Sequence, residues 1–350
     1  MKKLLLIGSN SVHLFNYHSL MKDSLDKIMV ITNQQKYDYG HDQVFSTYFG
    51  LWNPFKLCRT IRFIKRKIKI FQPDIIHVHQ INSYSFITIF ACRKMNIPIV
   101  LTAWGGDVLV NPWKNIFLKK MVTYCLKKAS AITSDSLYMS FKIKELINGK
   151  NQIIETLNFG VNPPNIVQAK EKLIYSNRLH YEFYRIDHII KAFNRFYQTN
   201  PDWRLVIAGE GPETQHLQSL VNSLKCKDAV DIVGWVKQDV NNDYYSKASI
   251  YVSIPTTDAT SVSLLEAISY GCIPIVSNLP ANLEWVMDDI NGLIVQNSEV
   301  DFISKALLLD TEKLAVLNRQ IIERKALKKQ SVKKFLSLYK TLIQDDICAE

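Results

Sequence analysis

With 350 residues the chain exceeds one ordinary hydrophobic core, and 47% apolar against 21% charged residues is the balance of a folded globular protein. It has no run of eighteen apolar residues to cross a bilayer, and its six cysteines (58, 92, 125, 226, 272 and 348) form no C-x-x-C pair, which fits reduced thiols of a cytosolic protein. The formal charge of +11 is uneven: residues 1–160 hold 22 Lys/Arg against 9 Asp/Glu, or +13, and the rest hold 21 against 23, or −2.

The opening MKKLLLIGSN is too short for a signal peptide and reads as a first strand, Lys3–Ile7. A helix at His13–Leu25 and a strand at Ile28–Thr32 follow, then the helix Pro54–Phe71, the strand Asp74–His79 and the helix Ser83–Lys94. Next come the strand Pro98–Thr102, the helix Asn115–Lys127, the strand Ala131–Ser134, the helix Leu137–Ile147 and the strand Ile153–Leu157. The Pro/Asn-rich stretch Gly160–Asn165 has linker chemistry. After it the alternation restarts with strand Lys172–Ser176, helix Arg185–Thr199, strand Trp203–Ala208, helix Glu213–Leu224, strand Val230–Val233 and helix Val240–Lys247.

Ile250–Trp285 says most about function. The strand Ile250–Ile254 enters a polar loop with Asp258, Thr260, Ser261 and Ser263. A helix follows with Leu264, Leu265, Ala267 and Ile268 as its buried stripe, Gly271 closes it, and the strand Ile273–Val276 comes next. A strand at Gly292–Val295 precedes helices to the end, the last of them basic, Ser331–Ile343. Apolar strands alternating with helices imply doubly wound parallel sheets, in two α/β halves that face across a cleft.

Several residues are candidates for chemistry. Gly209 and Gly211 form a turn at a strand end, but G-x-G-x-x-G and G-x-x-x-x-G-K-[ST] are absent, which argues against dinucleotide and P-loop enzymes. Ser263 and Glu266 have the spacing of a capping box, and Asp258 reads locally as a loop acid. Arg178, past a strand end, suits phosphate oxygens or an ion pair. His77 and His79 share a strand face, with no third metal ligand in sight, so packing is expected of them. Ile61, Ile64 and Ile68 recur among Arg59, Arg62, Lys65, Arg66, Lys67 and Lys69, and Lys114–Lys128 repeats the theme. Such helices suit either solvent or an anionic membrane surface, whereas no aromatic-interleaved motif points to nucleic acid.

The second half resembles the nucleotide-binding domain of the group 1 (family 4) retaining glycosyltransferases. The resemblance lies in Ser176–Leu179 with Ile186–Phe193, Leu205–Pro212, Ile232–Trp235, the ends of an E-x7-E signature at Asp258 and Glu266, Gly271–Pro274, Glu284–Trp285 and Asn291–Ile294. Pro73–His79, Thr102–Asp107 and Asn158–Asn162 resemble the family more loosely. The resemblance implies the α/β GT-B fold of two Rossmann-like domains. These would be an acceptor domain at 1–162, a nucleotide-sugar domain at 163–330 and a last helix at 331–350 packing back across the hinge.

It further implies transfer of a sugar from a nucleotide donor, UDP-linked in expectation, without metal or other cofactor and with retention; no D-x-D occurs. Arg178 and the N–H groups around Ser261, Val262 and Ser263 would stabilise the leaving diphosphate, with Gly211 and Arg185 nearby. Asp258 would hold donor-sugar hydroxyls and act with Arg178 in catalysis. Glu266 would hold the ribose, and Thr260 and Ser261 would give N–H groups to sugar and phosphate. Gly8, His13, Trp104 and Asp107 would meet the acceptor, a lipid-linked or polysaccharide chain in surface-polysaccharide synthesis. Residues 59–69 and 114–128 would then rest on the inner face of the cytoplasmic membrane.

The chain departs from the family where Tyr184-Arg185 stands for Lys-Gly, where Ala259 and Ser261 stand for glycines, and where Trp104 stands for a histidine. A catalytically degenerate subunit that only binds nucleotide or a partner is the alternative, with a sugar-nucleotide epimerase less in keeping with the motif order.

Overall fold

A computed structural model describes residues 2–149, 151–165 and 169–348, the last four as backbone only. The chain forms two compact units, residues 1–159 with 328–350, and residues 160–327.

The first unit is built on β1 (Lys3–Ile7), β2 (Lys27–Thr32), β3 (Gln43–Ser46), β4 (Ile75–His79), β5 (Ile99–Thr102), β6 (Ala131–Ser134) and β7 (Ile153–Thr156). They form one seven-stranded sheet in the order β3-β2-β1-β4-β5-β6-β7, with every neighbour parallel. Strands covered on both faces read as unbroken apolar runs, and Leu4–Ile7 are fully buried. The connecting helices are α1 (Val12–Met21), α2 (Pro54–Phe71), α3 (Ser83–Cys92), α4 (Asn111–Lys114), α5 (Ile116–Lys128) and α6 (Leu137–Leu146). Ser11, Asn53, Asn82, Asn115 and Ser136 cap α1, α2, α3, α5 and α6, each accepting a first-turn N–H.

The second unit repeats the plan with β8 (Glu171–Ser176), β9 (Arg204–Ala208), β10 (Val230–Gly234), β11 (Ala248–Ser253), β12 (Ile273–Ser277) and β13 (Leu293–Val295). Its parallel order is β10-β9-β8-β11-β12-β13. The helices are α7 (Ile186–Tyr197), α8 (Thr214–Asn222), α9 (Gln238–Lys247), α10 (Val262–Ser269), α11 (Pro280–Leu283) and α12 (Thr311–Lys325). Successive strand residues feed opposite faces. Ile174, Ile250 and Val252 pack with α7 and α8, whereas Tyr175 and Tyr251 pack with α9, α10 and α12. The last helix, α13 (Lys328–Cys348), belongs to the first unit and buries Phe335, Leu338, Tyr339 and Leu342 beside Tyr17 and Leu20.

Three features differ from the sequence expectation. β3 was not expected, because Gln43-Val-Phe-Ser46 is an edge strand with polar ends and no apolar run. Residues Gly106–Val110 form a π-type turn that leads into α4 ahead of α5. The final helix begins at Lys328, three residues before Ser331. Five cysteines are free, Cys58 exposed and Cys92, Cys125, Cys226 and Cys272 buried; the side chain of Cys348 lies outside the described residues.

Each sheet reverses its winding once, at β1/β4 and at β8/β11. Crevices at the carboxyl ends of such strand pairs are where ligands bind in open α/β sheets. The candidate residues fall there.

Candidate functional site

In the second unit Arg178 follows β8 and lies buried among charged and hydroxyl partners. One guanidinium nitrogen donates to Asp258 Oδ2 at 2.6 Å, another donates to Ser261 Oγ, and the Tyr184 ring lies 4.5 Å beneath it. Burial alone would weaken the charge, but the Asp258 carboxylate and Tyr184 outweigh it and hold the guanidinium more firmly protonated than usual. The pair joins loops eighty residues apart in sequence at adjacent strand ends.

Ser261, which accepts from Arg178, is the N-cap of α10 and makes no side-chain cap bond. The first N–H groups of a helix have no acceptor within it, so those of Val262 and Ser263 lie at an open, electropositive end. Thr260 is buried beneath, its hydroxyl accepting from Trp285 Nε1 at 3.2 Å. Because α10 starts at Val262, Ser263 cannot be its N-cap, and the capping box expected of Ser263 and Glu266 does not form.

Glu266 turns instead to α9. Its Oε1 accepts from Gln238 Nε2 at 3.0 Å and its Oε2 from Asn241 Nδ2 at 3.5 Å. Behind Asn241 runs a buried polar chain. The Asn241 amide oxygen accepts from Tyr175 at 2.7 Å and from Asn177 at 2.9 Å, and Asn177 Oδ1 accepts from Tyr251 at 3.0 Å. Burial pushes the Tyr251 phenol up to about 12, so it stays a donor. The chain fixes the rotamer of Glu266 from beneath and leads back to Tyr251, which senses the charges of Arg178 and Asp258. Asp258 and Glu266 thus answer to different partners, one guanidinium and two amides.

Two expected donor contacts are otherwise engaged. Gly211 donates its N–H to Thr214 Oγ1 at 3.0 Å, and a Cβ on it would lie 2.4 Å from the His180 carbonyl. Gly209, at φ 128°, would place a Cβ 2.5 Å from the Arg178 carbonyl. Both glycines let this turn close against the loop that carries Arg178. Arg185 donates to the carbonyls of Ile254 and Pro255 at 2.8 and 3.2 Å, so its charge braces the chain leaving β11.

In the first unit the loop from Gly8 enters α1, and a Cβ on Gly8 would strike Leu14 and His79. His79 ends β4, and its Nδ1 accepts from Trp104 Nε1 at 3.1 Å. Exposed His13 lies against the same indole, ring centroids 4.9 Å apart. Asp107 is buried, with Oδ1 accepting from the Trp104 N–H at 3.0 Å and Oδ2 from the Ile81 N–H at 2.7 Å. Burial raises its pKa against the pull of those N–H groups. Asp107 therefore shapes the loop that presents Trp104, and the half-buried indole lies between His79, which accepts its N–H, and the His13 ring.

Behind the indole, His77 Nδ1 bonds Tyr339 Oη at 2.5 Å and its Nε2 bonds Thr102 Oγ1 at 2.5 Å, while Tyr17 Oη bonds Tyr339 Oη at 2.5 Å. Burial lowers both imidazoles, His77 to about 3. Among the described residues no three His, Cys, Asp or Glu side chains converge as a metal site, and the two histidines serve packing and hydrogen bonding. Sequence reasoning did not find Ser261 as a partner of Arg178, nor Asn177, Gln238, Asn241 and Tyr251 as supports, because amides and phenols spread over three elements leave no local pattern.

Comparison with known proteins places the chain. Residues 161–329 match the model of glycosyl transferases group 1, and residues 2–136 match that of glycosyl transferase 4-like domains. The alpha-monoglucosyldiacylglycerol synthase of Acholeplasma laidlawii is 23% identical over 69% of this chain and 68% of its own. The UDP-Gal:alpha-D-GlcNAc-diphosphoundecaprenol alpha-1,3-galactosyltransferase of Escherichia coli is 25% identical over 88% of this chain and 86% of its own. Among solved structures, Anabaena HepE in complex with UDP-glucose superposes with a TM-score of 0.79 at 12% identity, covering 97% of this chain and all of its own.

Proposed function

The chain belongs to the group 1 glycosyltransferases and has the GT-B fold, and from that premise we propose that it moves a sugar from a UDP-sugar to a lipid-linked or saccharide acceptor, with retention and without a metal ion, in building a surface polysaccharide. One observation carries the reading: buried Arg178 sits beside the uncapped N-terminus of α10, so a guanidinium and open N–H groups converge at the end of β8 and β11. That pairing suits a departing diphosphate. The relatives supply the substrate classes, since one is named for a diacylglycerol glycolipid, another for UDP-Gal and a diphosphoundecaprenol acceptor, and HepE holds UDP-glucose.

In this reading Glu266, oriented by Gln238 and Asn241, accepts from the ribose hydroxyls. The diphosphate takes N–H donors from Arg178, Val262 and Ser263. Asp258, partly relieved of Arg178 by the phosphate, turns to hydroxyls of the donor sugar. The bond from C1 to the phosphate oxygen breaks and its electron pair leaves with UDP. The acceptor oxygen forms its bond to C1 on the same face and passes its proton to the departing phosphate, so no separate base is needed. Trp104 and His13 in the first unit receive the acceptor.

The test is release of nucleoside diphosphate from a panel of nucleotide sugars with bacterial lipid extract as acceptor, in the presence of chelator. Release with one donor, lost in Asp258→Ala, and an NMR coupling that keeps the donor's anomeric configuration support the reading. Donor binding without turnover would leave a subunit that only binds nucleotide, and inversion or a strict metal requirement would refute those parts.

A further inference from the structure

We infer that the second unit carries a separate binding site for a neutral saccharide, built on the turn that also supports Arg178. It uses none of the side chains that hold the donor or the acceptor in the preceding reading.

The site begins with an aromatic run, Tyr181-Glu-Phe-Tyr184, in the connection from β8 to α7. The run closes as one tight helical turn, Glu182–Tyr184, in which the N–H groups of Tyr184 and Arg185 donate to the carbonyls of Tyr181 and Glu182 at 2.9 Å each. At three residues per turn, successive side chains leave about 120° apart, so Phe183 and Tyr184 cannot face the same way. Tyr184 goes to the Arg178 guanidinium. Phe183 and Tyr181 stay outside, 39% and 45% exposed, with their rings stacked at 5.9 Å and 26°.

These rings line a cavity of about 580 Å³, shared with the start of α7 and with Glu213, His216 and Leu217 at the start of α8. Small-molecule sites fall at about 300–1,000 Å³. Thr256 also lines it, and its N–H donates to the Phe183 carbonyl at 2.8 Å, two residues before Asp258. The Phe183 ring packs on Tyr184 with centroids 4.2 Å apart. The aromatic surface is therefore set before a ligand arrives, which spares the entropy of ordering it on binding.

The lining selects the ligand. Aromatic faces are electron-rich, and the weakly positive C–H bonds on one side of a sugar ring stack on them. The carboxylates of Glu182 and Glu213 accept from hydroxyls, and bonds to an ionised acceptor are the stronger kind. Asp187 is held by Lys191 at 2.8 Å. Among the described residues that line the cavity Arg185 is the only Lys or Arg, and it is spent on the carbonyls of Ile254 and Pro255. A phosphate or nucleotide would meet two carboxylates there without a cation to answer it. Nor do three His, Cys, Asp or Glu side chains converge as a metal site among the described residues. An uncharged ligand rich in hydroxyls, with one apolar face, meets all of these conditions, and that is a pyranoside.

The experiment titrates the methyl pyranosides of glucose, galactose and N-acetylglucosamine, with maltotetraose and chitotetraose, into the full chain, followed by saturation-transfer NMR and calorimetry. At least one probe should bind, with saturation strongest at its C–H protons. Tyr181→Ser with Phe183→Ser should weaken that probe by about tenfold or more, and so should Glu213→Gln. Glu213→Gln keeps the side chain's shape, so it tests the site even where thermal melting shows the aromatic pair unfolded. A free sugar and an inner unit of a glycan offer the same chemistry: equal affinity for glycoside and tetrasaccharide assigns the first source, tighter binding of the tetrasaccharide the second, and either supports the site. Saturating UDP should leave probe binding intact, and UDP titrated alone reports separately on the donor reading. Binding of no probe, binding unchanged in Glu213→Gln and in the folded aromatic variant, or displacement of the probe by UDP overturns the inference.

Discussion

Arg178 donates to Asp258 across 2.6 Å, so the carboxyl end of β8 is tied to the loop after β11 by one partly buried ion pair. Removing Asp258 leaves the buried guanidinium without its counter-charge, while a lysine keeps charge but lacks the planar fork that reaches Asp258 and Ser261 from two nitrogens. We expect Arg178→Lys and Asp258→Asn each to lower kcat by about 10²–10³-fold, the loss seen when one preorganised donor is removed. Steady-state kinetics with thermal melting as a folding control check this.

Glu266 is held by Gln238 and Asn241, both of which donate to it. Glu266→Gln would present an amide N–H to a donor and remove the charge that a ribose diol needs. We expect a rise in donor KM of about tenfold or more with a smaller change in kcat. An equal fall in kcat with KM unchanged would place Glu266 in transition-state stabilisation instead.

His79 meets the first unit's surface through Trp104, whose indole N–H it accepts at 3.1 Å. His79→Phe keeps a ring between Tyr17 and Phe159 but gives up that acceptor. The indole N–H resonance assigned by Trp104→Phe should move and exchange faster in His79→Phe. In the double variant the His79 change should add little to the effect on acceptor KM, since interacting residues are not additive. Additive losses would make His79 a merely structural residue.

Acid should loosen the first unit. His77 bonds Tyr339 and Thr102, and burial lowers it to about 3, whereas an unfolded histidine titrates near about 6.5. The neutral ring's contribution is complete above the unfolded pKa and is lost as pH falls from there toward the folded one, at up to about 1.4 kcal/mol per pH unit. Chemical denaturation across that window should show the decline, and His77→Gln should flatten it. A His77→Gln slope equal to that of the unaltered chain would show that other groups carry the acid sensitivity.

Much of this arrangement is legible in the chain because parallel strands buried on both faces are apolar runs, and Ile250–Trp285 reads as strand, loop, helix and strand without any tertiary information. The polar edge strand Gln43–Ser46 carries no such run and stays hidden. Spacing alone starts α10 at Ser263, whereas its N-cap is Ser261, whose carbonyl accepts from the Leu264 and Leu265 N–H groups. The pairs that build the site are long-range, Arg178 with Asp258 and His77 with Tyr339, and no local period announces them. The resemblance counts Asp107 among the acceptor residues, and its burial and its bonds from the Ile81 and Trp104 N–H groups depend on a turn that only the fold creates.

The central claim, a donor diphosphate held by Arg178 at the open end of α10, is tested most directly by titrating UDP and UDP-sugars into the protein and into Arg178→Ala while following thermal unfolding. A ligand at about a hundred times its Kd stabilises by about 2.7 kcal/mol, a shift of several degrees. We expect at least one UDP-sugar to raise the melting temperature of the unaltered chain and none to raise that of Arg178→Ala. No shift with any donor, or the same shift in Arg178→Ala, would contradict the claim.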